Sequence, residues 1–187
     1  MNHQRKNHAK FLRIFRKIHR WTGLTLFLFF LFIALTGILL GWKKNSGGLL
    51  LPKVENGTTS DLKAWLPIDK LHLIACQVLQ DSISPNISLN LDRIDIRKDK
   101  GVVRFVFQDH YWGVQLDGST GKLLNLELRR SDFVENIHDG SILDFYFGTK
   151  NVFKLIYTSI MGSALLIFII TGLWLWYGPK YMRKKLN

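Results

Sequence analysis

Acidic residues are missing from both ends of this sequence: residues 1–20 hold no Asp or Glu, and neither does anything after Tyr177. Cysteine is almost missing too. Cys76 stands alone, so no internal disulfide can form, even in a compartment that would permit one. Its apolar surroundings in the sequence fit a small buried hydrophobe. Proline is scarce, with four in 187 residues. Gly-rich dinucleotide fingerprints, phosphate-binding loops and CxxC pairs do not occur, which excludes the usual nucleotide and dithiol chemistries.

The most informative absence is of charge. Trp21–Trp42 (WTGLTLFLFFLFIALTGILLGW) carries none in 22 residues, and Leu155–Tyr177 (LIYTSIMGSALLIFIITGLWLWY) none in 23. A bilayer core about 30 Å thick takes roughly 20 helical residues, so each run is long enough to span it. Both end in aromatics suited to the headgroup region. The first run is too long for a secretory signal, and Gly41-Trp42-Lys43-Lys44 lacks a small-x-small cleavage pattern, so an uncleaved span is expected.

Placement of the remaining charge sets the expected orientation. The formal net charge is +12, which at first sight suggests nucleic acid. Seven basic residues fall within residues 1–20 and four follow Tyr177, whereas all fourteen acids lie between Lys43 and Lys150, balanced there by fourteen Lys and Arg. A surplus confined to the two membrane flanks is the positive-inside signature. Both termini are therefore expected in the cytoplasm of a bacterial-type cell, with a multi-pass protein in its inner membrane and no nucleic-acid partner. The expected layout is a basic segment 1–20, a first span 21–42, a linker 43–67, an outward domain 68–130, an interfacial helix 131–148, a second span 152–177 and a basic tail 178–187.

Within the outward segment, Leu71, Ile74, Ala75, Val78 and Leu79 mark one face of an amphipathic helix capped near Asp69. Asp92–Asp99, Val102–Asp109 and Tyr111–Asp117 alternate with period two, as strands with one buried face do, and Lys122–Leu128 fits a fourth. Asp99-Lys100-Gly101 and Asp117-Gly118-Ser119-Thr120-Gly121 read as turns. The fold class is thus membrane α+β: two transmembrane helices flanking a small extracytoplasmic domain of one helix and an antiparallel sheet.

The order helix–strand–strand–strand, ending in Val114-Gln115-Leu116-Asp117-Gly118-Ser119-Thr120-Gly121-Lys122, resembles the PepSY domain, which closes with an aspartate, a Thr-Gly turn and one more strand. The flanks add to this. Ile18-His19-Arg20-Trp21-Thr22-Gly23-Leu24 opens the first span, and Leu35-Thr36-Gly37 falls near its end. Ile137-His138-Asp139-Gly140 precedes the second, which closes with Thr171-Gly172-Leu173-Trp174-Leu175-Trp176. Over residues 11–180 this set resembles the PepSY-associated transmembrane family. Some members are small haem-containing ferric reductases of similar length and layout. The resemblance implies electron transfer across the inner membrane to ferric iron outside, in support of ferrous iron uptake.

Six histidines bear on that implication. His3 and His8 lie in the basic tail, His72 beside the apolar face of the outward helix, and His110 at a hairpin; ordinary surface or turn roles suffice for all four. His19 sits at the cytoplasmic mouth of the first span, on a face shared with Gly23, Leu26, Phe30, Ile33, Gly37 and Gly41. Gly37 and Gly41 form a small-xxx-small pair open to another helix or a flat cofactor, and Gly23 leaves room beside the histidine for a porphyrin. His138 precedes the second span in DFVENIHDGSILDFYFG, which fits a short helix on the outer membrane surface. Each histidine alone can be an interfacial residue without a ligand role. As a pair, one at each membrane face, they are candidate axial ligands of haem b. One chain offers one ligand per face, so a two-fold homodimer would complete each site, with one or two haems per pair of chains. Arg16 and Arg20 can pair with propionates or simply face lipid headgroups.

The chain brings no electron donor of its own, so a separate cytoplasmic reductase, a reduced flavin or the quinol pool is required. The acceptor that the resemblance implies is ferric iron, free or chelated. Asp139 and Asp144 near His138 are the iron-docking candidates among otherwise scattered carboxylates such as Asp92, Asp95, Asp99, Asp109, Asp132 and Glu135. Two other classes remain open: a haem-free membrane module that binds or modulates an outer partner such as a peptidase, and a small transporter subunit.

Overall fold

The computed structural model describes residues 2–184, with side chains from Ala9 to Tyr181. His3, His8, Arg5, Lys6, Arg183, Lys184 and Lys185 fall outside the described side chains. In chain order the elements are α1 (Asn2–Trp42), α2 (Ile68–Ser82), β1 (Leu91–Arg97), β2 (Val102–Phe107), β3 (Trp112–Asp117), β4 (Leu123–Leu128), α3 (Arg130–His138), α4 (Ser141–Phe147) and α5 (Val152–Lys184). They form two compact units, one of residues 38–136 and one of residues 1–37 with 137–187.

The sheet unit is a four-stranded antiparallel meander in the order β1-β2-β3-β4. Val103 pairs with Leu116, and Phe105 with Val114. These four residues and Phe107 point to the face on which α2 lies, where Leu71, Ala75 and Leu79 are fully buried against them. The α2 apolar stripe found in the sequence is thus the stripe that packs. Its N-terminus differs from expectation: Pro67 takes the capping position with no side-chain bond, and Asp69 sits in the first turn, where its charge suits the helix dipole. Half-buried Cys76 lies at the margin of this core 3.4 Å from His72 Nε2, and burial pushes its thiol pKa up.

The second face of the sheet corrects a sequence expectation. Alternation implied one buried face, yet all six residues of β2 are buried. The reason is the linker 43–67, which has little regular structure but straps the far side of the sheet. Gln115 donates to Lys53 O at 2.8 Å and accepts from Glu55 N at 3.2 Å. Lys100 Nζ donates to Val54 O, Gly57 N to Lys100 O, and Ser131 N to Leu50 O. Beneath the strap lies a buried charged row. Arg104 Nε sits 2.8 Å from Glu127 Oε1, Gln115 donates to Glu127 Oε2, and Arg129 pairs with Asp132 at 2.8 Å. Burial pushes the Glu127 carboxyl pKa up and that of the Arg104 guanidinium down, against their mutual attraction.

Asp117 joins strap, sheet and turn. Its Oδ2 accepts from Thr58 N at 2.7 Å and from the Thr58 hydroxyl, while Oδ1 accepts from Ser119 N, Ser119 Oγ and Thr120 N. Gly121 completes the turn at φ +71°, a left-handed value that favours glycine. Burial opposes the charge of Asp117, but these five donors outweigh it and hold the carboxyl well below the usual range. A depressed folded pKa contributes stability above the unfolded value of about 3.9, and that contribution is lost as pH falls below it. Asp117→Asn is expected to cost about 1–3 kcal/mol at neutral pH. It should also flatten the acid limb of the stability curve below about pH 4. Chemical unfolding followed across that range by circular dichroism checks both.

Candidate functional site

Helices α1 and α5 are long and apolar, and each contains a window suited to crossing a membrane. Only 6% and 11% of those windows are buried within the chain, so their outer faces present residues such as Leu24, Phe32, Leu166 and Ile170 outward. That much exposed hydrocarbon suits lipid or another apolar helix rather than water. Among the described residues the buried positions are Thr36 on α1, and Met161, Ala164, Thr171 and Gly178 on α5.

Each buried threonine meets a histidine from another helix. His19 Nδ1 lies 3.0 Å from Thr171 Oγ1, and His138 Nδ1 lies 2.8 Å from Thr36 Oγ1. The contacts are reciprocal. The histidine midway along α1 is held by Thr171 of a Thr-Gly pair in α5, and the histidine at the end of α3 by Thr36 of a Thr-Gly pair late in α1. Among the described residues, Nε2 of neither ring has a hydrogen-bond partner. Thr36 follows His19 by 17 residues on α1, so the two histidine levels stand about 25 Å apart along the helix axis.

Glycines shape both levels, though not all as the sequence suggested. A Cβ at Gly172 would come within 3.3 Å of His19 Cε1, and one at Gly37 within 3.6 Å of His138 Cε1. Gly37 therefore faces His138 rather than a helix packed along a Gly37–Gly41 seam, and Gly41 faces open space. Gly23 leaves room beside His19, but Phe168 occupies it: a Cβ there would approach Phe168 Cε2 at 3.0 Å. The Phe168 ring stacks on the His19 imidazole with centroids 4.0 Å apart and planes 20° from parallel, and it reaches Phe30 at 5.9 Å. Phe30 in turn lines a cleft of about 380 Å³ beside His138, with Ile33, Tyr157, Met161 and Gly162. Arg16 and Arg20 are exposed on α1 near His19.

The two carboxylates proposed as iron-docking candidates are engaged in holding the fold. Asp139 Oδ2 sits 2.6 Å from Lys154 Nζ. Burial works against its charge, yet Lys154 and Ser141 hold its carboxyl below the usual range. Asp144 accepts from Phe153 N at 3.0 Å, Lys154 N at 2.8 Å and Thr149 Oγ1, so it caps the first turn of α5 from the preceding helix. The expected single helix over 131–148 is in fact two, α3 and α4, broken at Gly140, whose φ of +79° turns the chain. Among the described residues no group of three His, Cys, Asp or Glu is placed to hold a metal ion. His72 and His110 play local parts: His72 stacks near Phe105, and His110 Nε2 bonds Ser88 O at 2.9 Å.

Sequence reasoning did not single out Thr36, Thr171, Phe168 or Gly172 as site residues. A Thr-Gly pair recurs late in each uncharged run, but other hydroxyls share those runs, Thr22 and Thr25 in the first and Thr158, Ser159 and Ser163 in the second, so the sequence does not single these two out.

Residues 16–185 match the model of a protein family described as the PepSY-associated TM region. No curated protein and no solved structure matches the chain.

Removing the α5 cap tests the packing that holds His138 in place. Asp144→Ala is expected to lower stability by about 1–2 kcal/mol, the usual scale of a lost helix cap. Thermal unfolding of the detergent-solubilised protein reads this loss.

Proposed function

Because the chain belongs to the PepSY-associated transmembrane family, and so is a membrane protein, we propose that it is a b-type haem protein of a bacterial inner membrane. In this reading it moves electrons across the bilayer to reduce ferric iron, free or chelated, on the outer side. The observation that carries it is the pair of imidazoles at two levels about 25 Å apart along α1, each with Nδ1 tied to a threonine and, among the described residues, no hydrogen-bond partner at Nε2.

The residues fit such a group in three respects. A ligating imidazole ordinarily gives its other ring N–H to an oxygen acceptor, and both rings have one. Gly172 and Gly37 keep bulk away from the ring edges. The cleft beside His138 is apolar and smaller than a whole porphyrin site, as one half of a shared site would be. A second copy of the chain, apposed by a two-fold axis, supplies the matching imidazole at each level. His19 serves the cytoplasmic level and His138 the outer one, with the basic termini inside. Arg16 and Arg20 are within the first helix near His19 and offer guanidinium donors to carboxylate substituents. Haem, when bound, supplies one-electron redox chemistry, while the protein sets ligation and burial. The electron donor is a separate reductase, a reduced flavin or quinol on the cytoplasmic side.

Protein purified in detergent from haem-supplied cells is expected to show a Soret band and to run as a dimer by light scattering. His19→Ala and His138→Ala should each lose the haem at its own level, read as reduced haem content per chain. A wild-type protein without haem, or unchanged haem content in both variants, contradicts the proposal.

A further inference from the structure

A threonine hydroxyl has one proton to give, and in a membrane helix its usual recipient is the carbonyl one turn back. Thr36 Oγ1 lies 2.6 Å from Phe32 O and 3.2 Å from Ile33 O. Thr171 Oγ1 lies 2.7 Å from Ile167 O and 3.1 Å from Phe168 O. Thr25, which meets no histidine, makes the same bond to Trp21 O at 2.8 Å, so the habit belongs to the helix and not to the imidazole. With its proton committed to the backbone, each oxygen can only accept from the ring that faces it. A neutral imidazole has one N–H, and that hydrogen must then sit on Nδ1. Its lone pair is left on Nε2.

We infer that Thr36 and Thr171 are positioning residues that fix the tautomer of His138 and His19, each acting from the opposite helix on the ligand it serves. The inference rests on the ligand roles proposed above and adds how they are set. The threonine supplies a fixed acceptor that keeps Nε2 deprotonated, aims the ring plane, and raises the ring's electron-donating power through the N–H···O bond. Helix register enters directly, because the acceptor and the histidine come from different segments. A slip of one residue in α5 against α1 would remove the acceptor from His19. The stacking of Phe168 on the His19 ring holds the second rotational freedom, and Gly172 leaves the edge clear.

The test begins with haem-free protein, so it does not depend on the cofactor. Nitrogen-15 NMR of histidine-labelled chain in detergent, at mildly alkaline pH where imidazole is neutral, reads the tautomer of each ring. Both rings should carry the proton on Nδ1. Thr171→Val should abolish that preference at His19 alone, Thr36→Val at His138 alone, and the corresponding Ser variants should restore it. In the haem-loaded protein, loss of the N–H acceptor weakens stabilisation of the ferric state, so the midpoint potential at the affected level should rise while Ser variants stay near wild type. A tenfold loss of ferric over ferrous preference reads as about 59 mV for a one-electron couple. Nδ1–H tautomers that persist in both Val variants, or Nε2–H tautomers in the wild type, overturn the inference. A wild-type protein that shows the expected tautomers and the expected Val effects but takes up no haem would remove the ligand reading and leave the tautomer assignment standing.

Discussion

An imidazole placed between apolar helices must find an acceptor for its N–H, because hydrocarbon offers none. In this chain both candidate ligands meet a threonine of another helix: His19 of α1 meets Thr171 of α5, and His138 of α3 meets Thr36 of α1. The first contact ties α1 to α5, and the second ties the end of α3 to α1. The small residues then have places that make sense: glycine follows each threonine, and each of these glycines faces the imidazole that the threonine holds. Asp144 and the Asp139–Lys154 ion pair brace the short helices that bring His138 to Thr36. Removing either threonine hydroxyl would leave a part-buried ring nitrogen without its partner.

The sheet unit depends on a different device. Its helix-covered face is an ordinary apolar core, but its other face is a row of buried Arg, Gln and Glu closed over by an irregular strap. Burying such charges is expensive unless each is paired; Arg104 pairs with Glu127 and Arg129 with Asp132, while the strap bonds Gln115 within the row and Lys100 beside it. Asp117 is the point where strap, strand and turn meet, with five donors on one carboxylate. The Asp117-Gly118-Ser119-Thr120-Gly121 turn is thereby given a physical task beyond turning the chain.

Much of this was legible in the sequence because it is written in local patterns. Two uncharged runs, an apolar stripe from Leu71 to Leu79 and period-two alternation in β2 and β3 each report a face and need no knowledge of the partner. The second covered face of the sheet was not legible, since nothing in residues 49–59 alternates or repeats; only the hydrogen bonds to Gln115 and Asp117 show where they lie. His19 and His138 could be singled out by depth in the membrane and by family resemblance. Their threonine partners could not, because the contacts span 152 and 102 residues of chain and carry no spacing rule. Gly23 was read from its own helix as open space, and the ring that fills it comes from α5. Asp139 and Asp144 looked like free carboxylates for the same reason: their partners, Lys154 and the first amides of α5, belong to the next element.

The proposed function requires that Nε2 of His19 and of His138 bind haem shared between two copies of the chain. Low-temperature electron paramagnetic resonance of the oxidised protein, purified from haem-supplied cells, tests this most directly. Two neutral imidazoles on one iron give a low-spin ferric signal, and that signal is the predicted result. Only high-spin ferric haem, or no haem resonance at all, would contradict the pairing of histidines on which the proposed electron path depends.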